Sequence, residues 1–325
     1  MTKAIVVSAP GGPEVLEWKD HPVGDPGPGE IKIKTAASGL NFIDVYYRSG
    51  LYPAPKGTPF VPGGEGAGTV LAVGEGVTDL AVGDRVAYVV GLGSYAEERL
   101  LPADRVVKVP DGIDLEIAAG AMLKGMTVEY LLLRTYPVKK GETILFHAAA
   151  GGVGSMAGPW AKSLGARVIG TVGSDEKAEM ARANGYDEVI NYRSEDFVAR
   201  VRELTDGKGV DVVYDSVGKD TFPGSLDCLK PRGMWVSFGQ SSGNVEPFPL
   251  ATLSQKGSLY MTRPTLFTYI ASREDLVASA NALFDVITRK IVTIDINQRY
   301  AMADAKQAHE DLENRKTTGT TVLLP

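Results

Sequence analysis

A run of small residues, Ala148-Ala149-Ala150-Gly151-Gly152-Val153-Gly154, sits between a β-like stretch, Thr143–His147, and a helix-like one, Val153–Leu164. A small-residue turn joining strand to helix lets the backbone approach a pyrophosphate. The helix N-terminus beyond it supplies unpaired N–H groups and the positive end of a dipole. Glycine at the third position, Gly154, allows the helix to pack closely on the strand. The pattern Ala148-x-x-Gly151-x-x-Gly154 in this context predicts a dinucleotide site, with Ala150, Gly151, Gly152 and Val153 against the phosphates.

The next strand-like run, Arg167–Val172, ends in Gly173-Ser174. An NAD site carries Asp or Glu about 20 residues beyond the glycine turn, on the ribose 2′-OH. No acid stands at this tip. Asp175 comes one residue late and fits better as a helix N-cap or first-turn acid. Lys177 follows it, and Tyr192 ends the strand after that. A hydroxyl, an ammonium and a phenol suit a 2′-phosphate that a carboxylate would repel. NADPH rather than NADH is therefore expected, with Gly173, Ser174, Lys177 and Tyr192 around its phosphate.

Other chemistry is excluded by scarcity. The chain has one cysteine, Cys228, and three histidines, His21, His147 and His309. A clustered cysteine or histidine metal site and an internal disulfide are ruled out. No secretory leader or long apolar span is evident, so a mature cytoplasmic protein without membrane attachment is expected. With 34 basic against 40 acidic residues the net charge is −6, and no basic stripe with interleaved aromatics marks a nucleic-acid partner. His147 reads as packed beneath the glycine turn. His21 and His309 lie in polar loop or helix contexts with no role, and Cys228 reads as a small buried hydrophobe.

The elements that position these residues change character near residue 109. Before it come short β-rich runs, Ala4–Ser8, Val15–Lys19, Glu30–Ala37, Gly68–Val73, Arg85–Val90, Ala96–Leu101 and Val106–Val109. They are punctuated by Pro10-Gly11-Gly12, Gly27-Pro28-Gly29, Pro62-Gly63-Gly64 and Val82-Gly83-Asp84. The alternation in Ile31-Lys32-Ile33-Lys34 suits half-buried antiparallel strands of an irregular barrel or sandwich. Beyond it a helix spans Leu115–Thr135, with a possible break at Gly125. Apolar strands then alternate with helices up to Met234–Phe238, among them a helix over Phe222–Leu229, as in a parallel sheet covered on both faces. A long helix, Ser272–Arg289, and two β-like ends, Thr293–Arg299 and Thr320–Leu324, close the chain. With both ends β-rich, the α/β part reads as an insertion: residues 125–264 within a domain made of residues 1–124 and 265–325.

One further stretch, Asn41-Phe42-Ile43-Asp44-Val45-Tyr46-Tyr47-Arg48-Ser49-Gly50-Leu51-Tyr52, carries a resemblance. With Gly12-Pro13-Glu14-Val15-Leu16, Pro62-Gly63-Gly64-Glu65-Gly66-Ala67-Gly68, the Ala148 turn and Arg315-Lys316-Thr317-Thr318-Gly319, it resembles the medium-chain dehydrogenase/reductase superfamily. It is most similar to the zinc-free quinone oxidoreductase branch, over essentially the whole chain. The resemblance implies a Rossmann doubly wound parallel-sheet domain inserted in a GroES-like irregular β-barrel catalytic domain. Where zinc alcohol dehydrogenases of the superfamily carry a metal-binding cysteine this chain has Asn41. Where they have Gly-His-Glu it has Gly63-Gly64-Glu65, and their four-cysteine lobe is replaced by Gly91-Leu92-Gly93-Ser94. Without a Lewis acid, alcohol dehydrogenation is poorly supported. Hydride delivery to a quinone or conjugated enone needs no zinc.

The resemblance further implies roles for single residues. Asn41, Tyr46 and Tyr52 match positions near the nicotinamide, where an amide and two phenols can hydrogen-bond a quinone oxygen and Asn41 the carboxamide. Thr127 matches a residue at the nicotinamide end. Phe238, Gln240 and Ser241 end the last strand near the nicotinamide ribose, and Arg263 and Arg315 are similar to cofactor-phosphate ligands. The activity implied is NADPH:quinone reduction by a homodimer. Alternatives are an NADPH-dependent enone, alkenal or acyl-CoA double-bond reductase, or a non-catalytic NADPH- or RNA-binding protein.

Overall fold

The computed structural model describes residues 2–325. Its strands, in chain order, are β1 Lys3–Val6, β2 Glu17–Asp20, β3 Glu30–Gly39, β4 Glu65–Val73, β5 Arg85–Val89, β6 Glu98–Pro102 and β7 Val106–Lys108. They continue with β8 Thr143–Phe146, β9 Arg167–Val172, β10 Glu188–Asn191, β11 Val210–Asp215, β12 Leu229–Ser237, β13 Tyr260–Thr262, β14 Ile296–Ala301 and β15 Thr320–Leu324. Two compact units result. The first takes the chain up to Met126 with Ser272–Thr288 and Ile294–Pro325; the second takes Thr127–Ala271 and Arg289–Thr293.

In the first unit, β3 has partners on both edges. β4 runs along one, while β6 pairs with Glu30–Lys34 and β15 with Ser38 and Gly39 on the other. The Ile31/Lys32 alternation works as its period requires: Ile31 and Ile33 are buried with Val70, Val86 and Leu101. The pairing path β14-β15-β3-β4-β5-β7, with β6 on β3, stays open among the described residues. The barrel-like sheet is thus an open one of seven strands. A second core, of Ile5, Val7, Leu40, Tyr95, Met302, Ala308 and Leu323, ties the C-terminal segment to the N-terminal strands.

The second unit is a six-stranded sheet in the order β10-β9-β8-β11-β12-β13. Every neighbouring pair is parallel. Renumbered within the unit this is 3-2-1-4-5-6, the doubly wound order whose switch point lies at the carboxyl end of its first strand, β8. Leu145, Ile169, Ile190, Val213 and Trp235 fill one face.

Several elements differ from expectation for identifiable reasons. The helix Leu115–Glu129 does not break at Gly125; it runs on into a π-helical turn, Tyr130–Thr135. A Cβ at Gly125 would lie 2.2 Å from Leu283 Cδ1, so the glycine is there for close approach of the helix Arg273–Thr288. The helix expected over Phe222–Leu229 is confined to Gly224–Asp227, because Leu229 already pairs with Val210 in the sheet. The helices Phe42–Ser49 and Ala305–Glu313 were not apparent from the periodic pattern. Residues beyond 264 stay with the second unit as far as Ala271. There Tyr269 stacks on Tyr130 at 4.5 Å and its carbonyl accepts from Arg134 Nη2 at 2.7 Å.

Candidate active site

In the second unit, β8 ends beneath the small-residue turn. Ala148 takes a left-handed φ of 57°, and Gly151 N–H closes the turn on Ala148 O at 2.9 Å. A Cβ at Gly154 would sit 2.4 Å from Ala148 O, so any side chain there would push the helix Gly152–Ser163 off the turn. The first helical hydrogen bond, Ser155 N–H to Gly151 O at 2.8 Å, leaves the N–H groups of the preceding residues for a ligand. Under the turn, His147 is buried, its Nδ1 2.8 Å from Thr171 Oγ1 and its Nε2 3.1 Å from Ser225 Oγ. Burial holds its pKa below the ordinary imidazole value, with the Asp215 charge acting against that shift. Asp215 anchors the network. Its Oδ2 accepts from Ser225, Thr221 and Trp235, and its Oδ1 from the Val217 and Gly218 N–H groups.

At the tip of β9, Ser174 caps the helix Asp175–Ala183, its hydroxyl accepting from Lys177 N–H at 3.3 Å. The Tyr192 phenol oxygen lies 2.5 Å from where a Gly173 Cβ would be. Gly173, Ser174, Lys177 and Tyr192 therefore come together. Asp175, the first acid after the tip, is engaged by Asn191 Nδ2 at 2.8 Å. This donor set fits a dinucleotide carrying a 2′-phosphate.

At the carboxyl end of β12, the Phe238 ring lies 5.6 Å from Phe146, the last residue of β8. Arg263 Nη1 donates to Ser237 O at 3.1 Å, and Ser241 N–H bonds Ser216 O at 3.1 Å. Arg263 Nη2 is 3.5 Å from Gln240 Oε1. Thr127 is buried on the helix Leu115–Glu129.

The remaining candidates belong to the first unit. Arg315 follows the helix Ala305–Glu313 in the left-handed conformation, φ 61°. Asn41 is the N-cap of the helix Phe42–Ser49, which carries Tyr46. Tyr52 N–H returns to Tyr46 O at 3.0 Å, and the two rings lie 5.2 Å apart. Tyr47 joins them, edge-on to Tyr52 at 5.9 Å, a neighbour the residue pattern did not single out.

The pattern also missed what holds Asn41. Its Nδ2 donates to Glu65 Oε1 at 2.8 Å, and Lys124 Nζ meets the same oxygen at 2.5 Å. Leu123 N–H donates to Glu65 Oε2 at 2.6 Å. Asn41 N–H donates to Asp44 Oδ2 at 2.9 Å, as does the Tyr95 hydroxyl. Glu65, Asp44 and Lys124 are buried. Burial pushes the Asp44 carboxyl up to about 7. His309, read above as polar and without a role, is also fully buried. Ala305, Ala308, His309 and the half-buried Leu312 form one helix face, and that spacing was the available signal. Among the described residues no group of three or more His, Cys, Asp or Glu side chains is placed to hold a metal ion.

Residues 27–111 match the family described as alcohol dehydrogenase GroES-like domain, and residues 152–281 that described as zinc-binding dehydrogenase. A quinone oxidoreductase of Pseudomonas aeruginosa is 58% identical over the full length of both chains. A 2-haloacrylate reductase of a Burkholderia species is 46% identical, covering 100% of this chain and 99% of the other. The crystal structure of Escherichia coli quinone oxidoreductase complexed with NADPH superposes with a TM-score of 0.97 at 50% identity, covering 99% of this chain and all of that one. With such relatives over its whole length, the chain belongs to the quinone oxidoreductase family of the medium-chain dehydrogenase/reductase superfamily.

Proposed function

We propose that this protein is a zinc-independent NADPH:quinone oxidoreductase. The observation that carries the reading is the tip of β9, where Ser174, Lys177 and Tyr192 gather around Gly173 and the Asp175 carboxylate is tied to Asn191. The turn Ala150–Val153 takes the pyrophosphate on the N–H groups that its own hydrogen bonds leave open, with Gly151 N–H closing the turn on Ala148 O. Phe238, Gln240, Ser241, Arg263, Thr127, Asn41 and Arg315 complete the cofactor contacts. Bound NADPH supplies the hydride. Asn41, Tyr46 and Tyr52 orient the acceptor by hydrogen bonds to its oxygens, and Tyr46, Tyr52 or water returns the proton to the reduced oxygen. Anaerobic stopped-flow decay of NADPH absorbance with 1,4-benzoquinone tests this directly. A rate no faster than the uncatalysed mixture overturns it.

A second reading has specific support in the 2-haloacrylate reductase relative: reduction of an activated alkene by the same residues. Turnover on quinones against that on 2-alkenals separates the two. A filter-binding assay with single-stranded RNA tests the non-enzymatic alternative, which the net charge of −6 opposes. The enzyme is read as a cytoplasmic homodimer. No helix among the described residues is long and apolar enough to cross a membrane. β13 is a sheet edge with Tyr260 and Met261 exposed, suited to pairing with its twin. Light scattering after size exclusion checks this, and a monomeric mass excludes the dimer.

A further inference from the structure

Asp44 lies at the end of a buried chain of hydrogen bonds in the first unit. Glu313 holds both terminal nitrogens of Arg48, at 2.8 and 2.9 Å. Arg48 Nη1 is 3.1 Å from His309 Nδ1, His309 Nε2 is 3.3 Å from the Tyr95 oxygen, and that hydroxyl is 2.9 Å from Asp44 Oδ2. The chemistry of these groups gives the chain one direction. A guanidinium has donors only, so His309 Nδ1 must be the acceptor and Nε2 must carry the proton. Nε2–H then points at the Tyr95 oxygen, and Tyr95 can only send its own proton to Asp44. The chain cannot reverse unless Arg48 lets go. Burial and the Arg48 charge also push His309 down to about 3, which keeps the ring neutral.

Asp44 Oδ2 thus receives two donors, Tyr95 Oη–H and Asn41 N–H. Oδ1 is buried without a partner, 3.5 Å from where a Cβ of Gly64 would lie. A proton on Asp44 would have to sit on Oδ1, where no acceptor meets it, so the chain opposes protonation. We propose that Asp44 is the positioning residue of the acceptor-binding face: its carboxylate, which the one-way chain Arg48→His309→Tyr95 favours over the acid form, fixes Asn41 at the start of the helix that carries Tyr46. This rests on the reading that Asn41 contacts the acceptor. The charged and titratable groups facing Asp44 are Glu65, Lys124, Tyr47 and Tyr95, with His309 and Arg48 behind Tyr95.

Two measurements test the proposal on the full-length protein. The first is independent of activity. With only three histidines, long-range ¹H–¹⁵N spectra resolve each ring, and His309 is expected as the Nε2–H tautomer at neutral pH. An Nδ1–H or doubly protonated His309 overturns the chain. The second is kinetic. Tyr95→Phe removes one of two donors to Oδ2, so the acid limb of kcat/KM, near the Asp44 value of about 7, moves up by about one pH unit. At pH 7 the KM for 1,4-benzoquinone rises about three- to tenfold. In an Asn41→Ala background Tyr95→Phe adds nothing, because both act on one contact. Independent, additive effects mark a merely structural Tyr95 and overturn the proposal. An impaired Asn41→Ala with a silent Tyr95→Phe sinks the proposal alone. A silent Asn41→Ala sinks the acceptor reading and the proposal with it.

Discussion

Two buried aspartates, one in each unit, show how surroundings decide the state of a carboxyl group. Asp215 sits at the end of β11 and Asp44 in the first turn of the helix Phe42–Ser49, and neither side chain reaches solvent. Burial pushes both carboxyl groups upward. At Asp215 the facing His147 ring and donors on both oxygens outweigh it, and the group titrates below the ordinary carboxylate range. At Asp44 one oxygen is satisfied and the other has no partner, so burial prevails and the group rises to about 7. Donor placement, not depth, separates a permanent anion from one poised near neutrality. The permanent anion lies under the dinucleotide turn, where a fixed scaffold is needed. The poised one lies behind the residue assigned to the acceptor.

The largest expected effect comes from breaking the satisfied site. Asp215→Ala leaves Thr221, Ser225, Trp235 and two backbone N–H groups without their acceptor. Unfolding in urea should show a loss of about 3 kcal/mol or more, with NADPH binding lost alongside. A variant as stable as the parent would remove Asp215 as the anchor.

The sign of the pH dependence sharpens the comparison next. The Asp44 pKa is raised on folding, so the folded chain binds that proton more tightly between the ordinary value of 3.8 and about 7. Its contribution to stability is present below that window and lost as pH rises through 7. Asp44→Asn has no such loss. Between pH 5 and pH 8 the variant should gain on the parent by on the order of 2 kcal/mol. Asp215, with its depressed pKa, contributes in the opposite sense: its share is present above the ordinary carboxylate value and lost as pH falls through the folded one. Parallel stability curves for parent and Asp44→Asn would refute the assignment.

Smaller effects are expected at the ligand-facing residues. Lys177→Ala should weaken NADPH about tenfold and leave NADH unchanged, read by quenching of cofactor fluorescence. Equal losses for both would take Lys177 off the 2′-phosphate. Tyr46→Phe or Tyr52→Phe should raise the quinone KM only about threefold, since each removes one neutral hydrogen bond. A fall in kcat at constant KM would instead point to that phenol as the proton source.

Much of the second unit could be read in advance because its signals are local. The Ala148–Gly154 turn, the missing acid at Gly173-Ser174 and the alternation of strand and helix are contiguous in the chain. The first unit was less legible. Glu65, Lys124, Tyr95 and His309 meet around Asn41 and Asp44 from four separate segments, and nothing within any one segment announces the others. Only the Asn41-x-x-Asp44 spacing, a capping pattern, is a local sign of this cluster. His309 was misread because a histidine beside Gln307 and Glu310 looks polar until Ala305, Ala308 and Leu312 are placed on the same helix face.

Some properties of this protein lie in the sequence by itself. The doubly wound sheet, the small-residue turn at its first strand and the lack of a carboxylate against a 2′-phosphate are carried by residue type at short spacing, where sterics and charge act directly. Protonation belongs to the tertiary structure. Asp44 and Asp215 are the same residue, and which one keeps its charge depends on how many donors the fold brings to each oxygen. No spacing by itself encodes that count: Trp235 and Tyr95 reach Asp215 and Asp44 only through the fold, and the nearby donors reach them only once the local turns have formed.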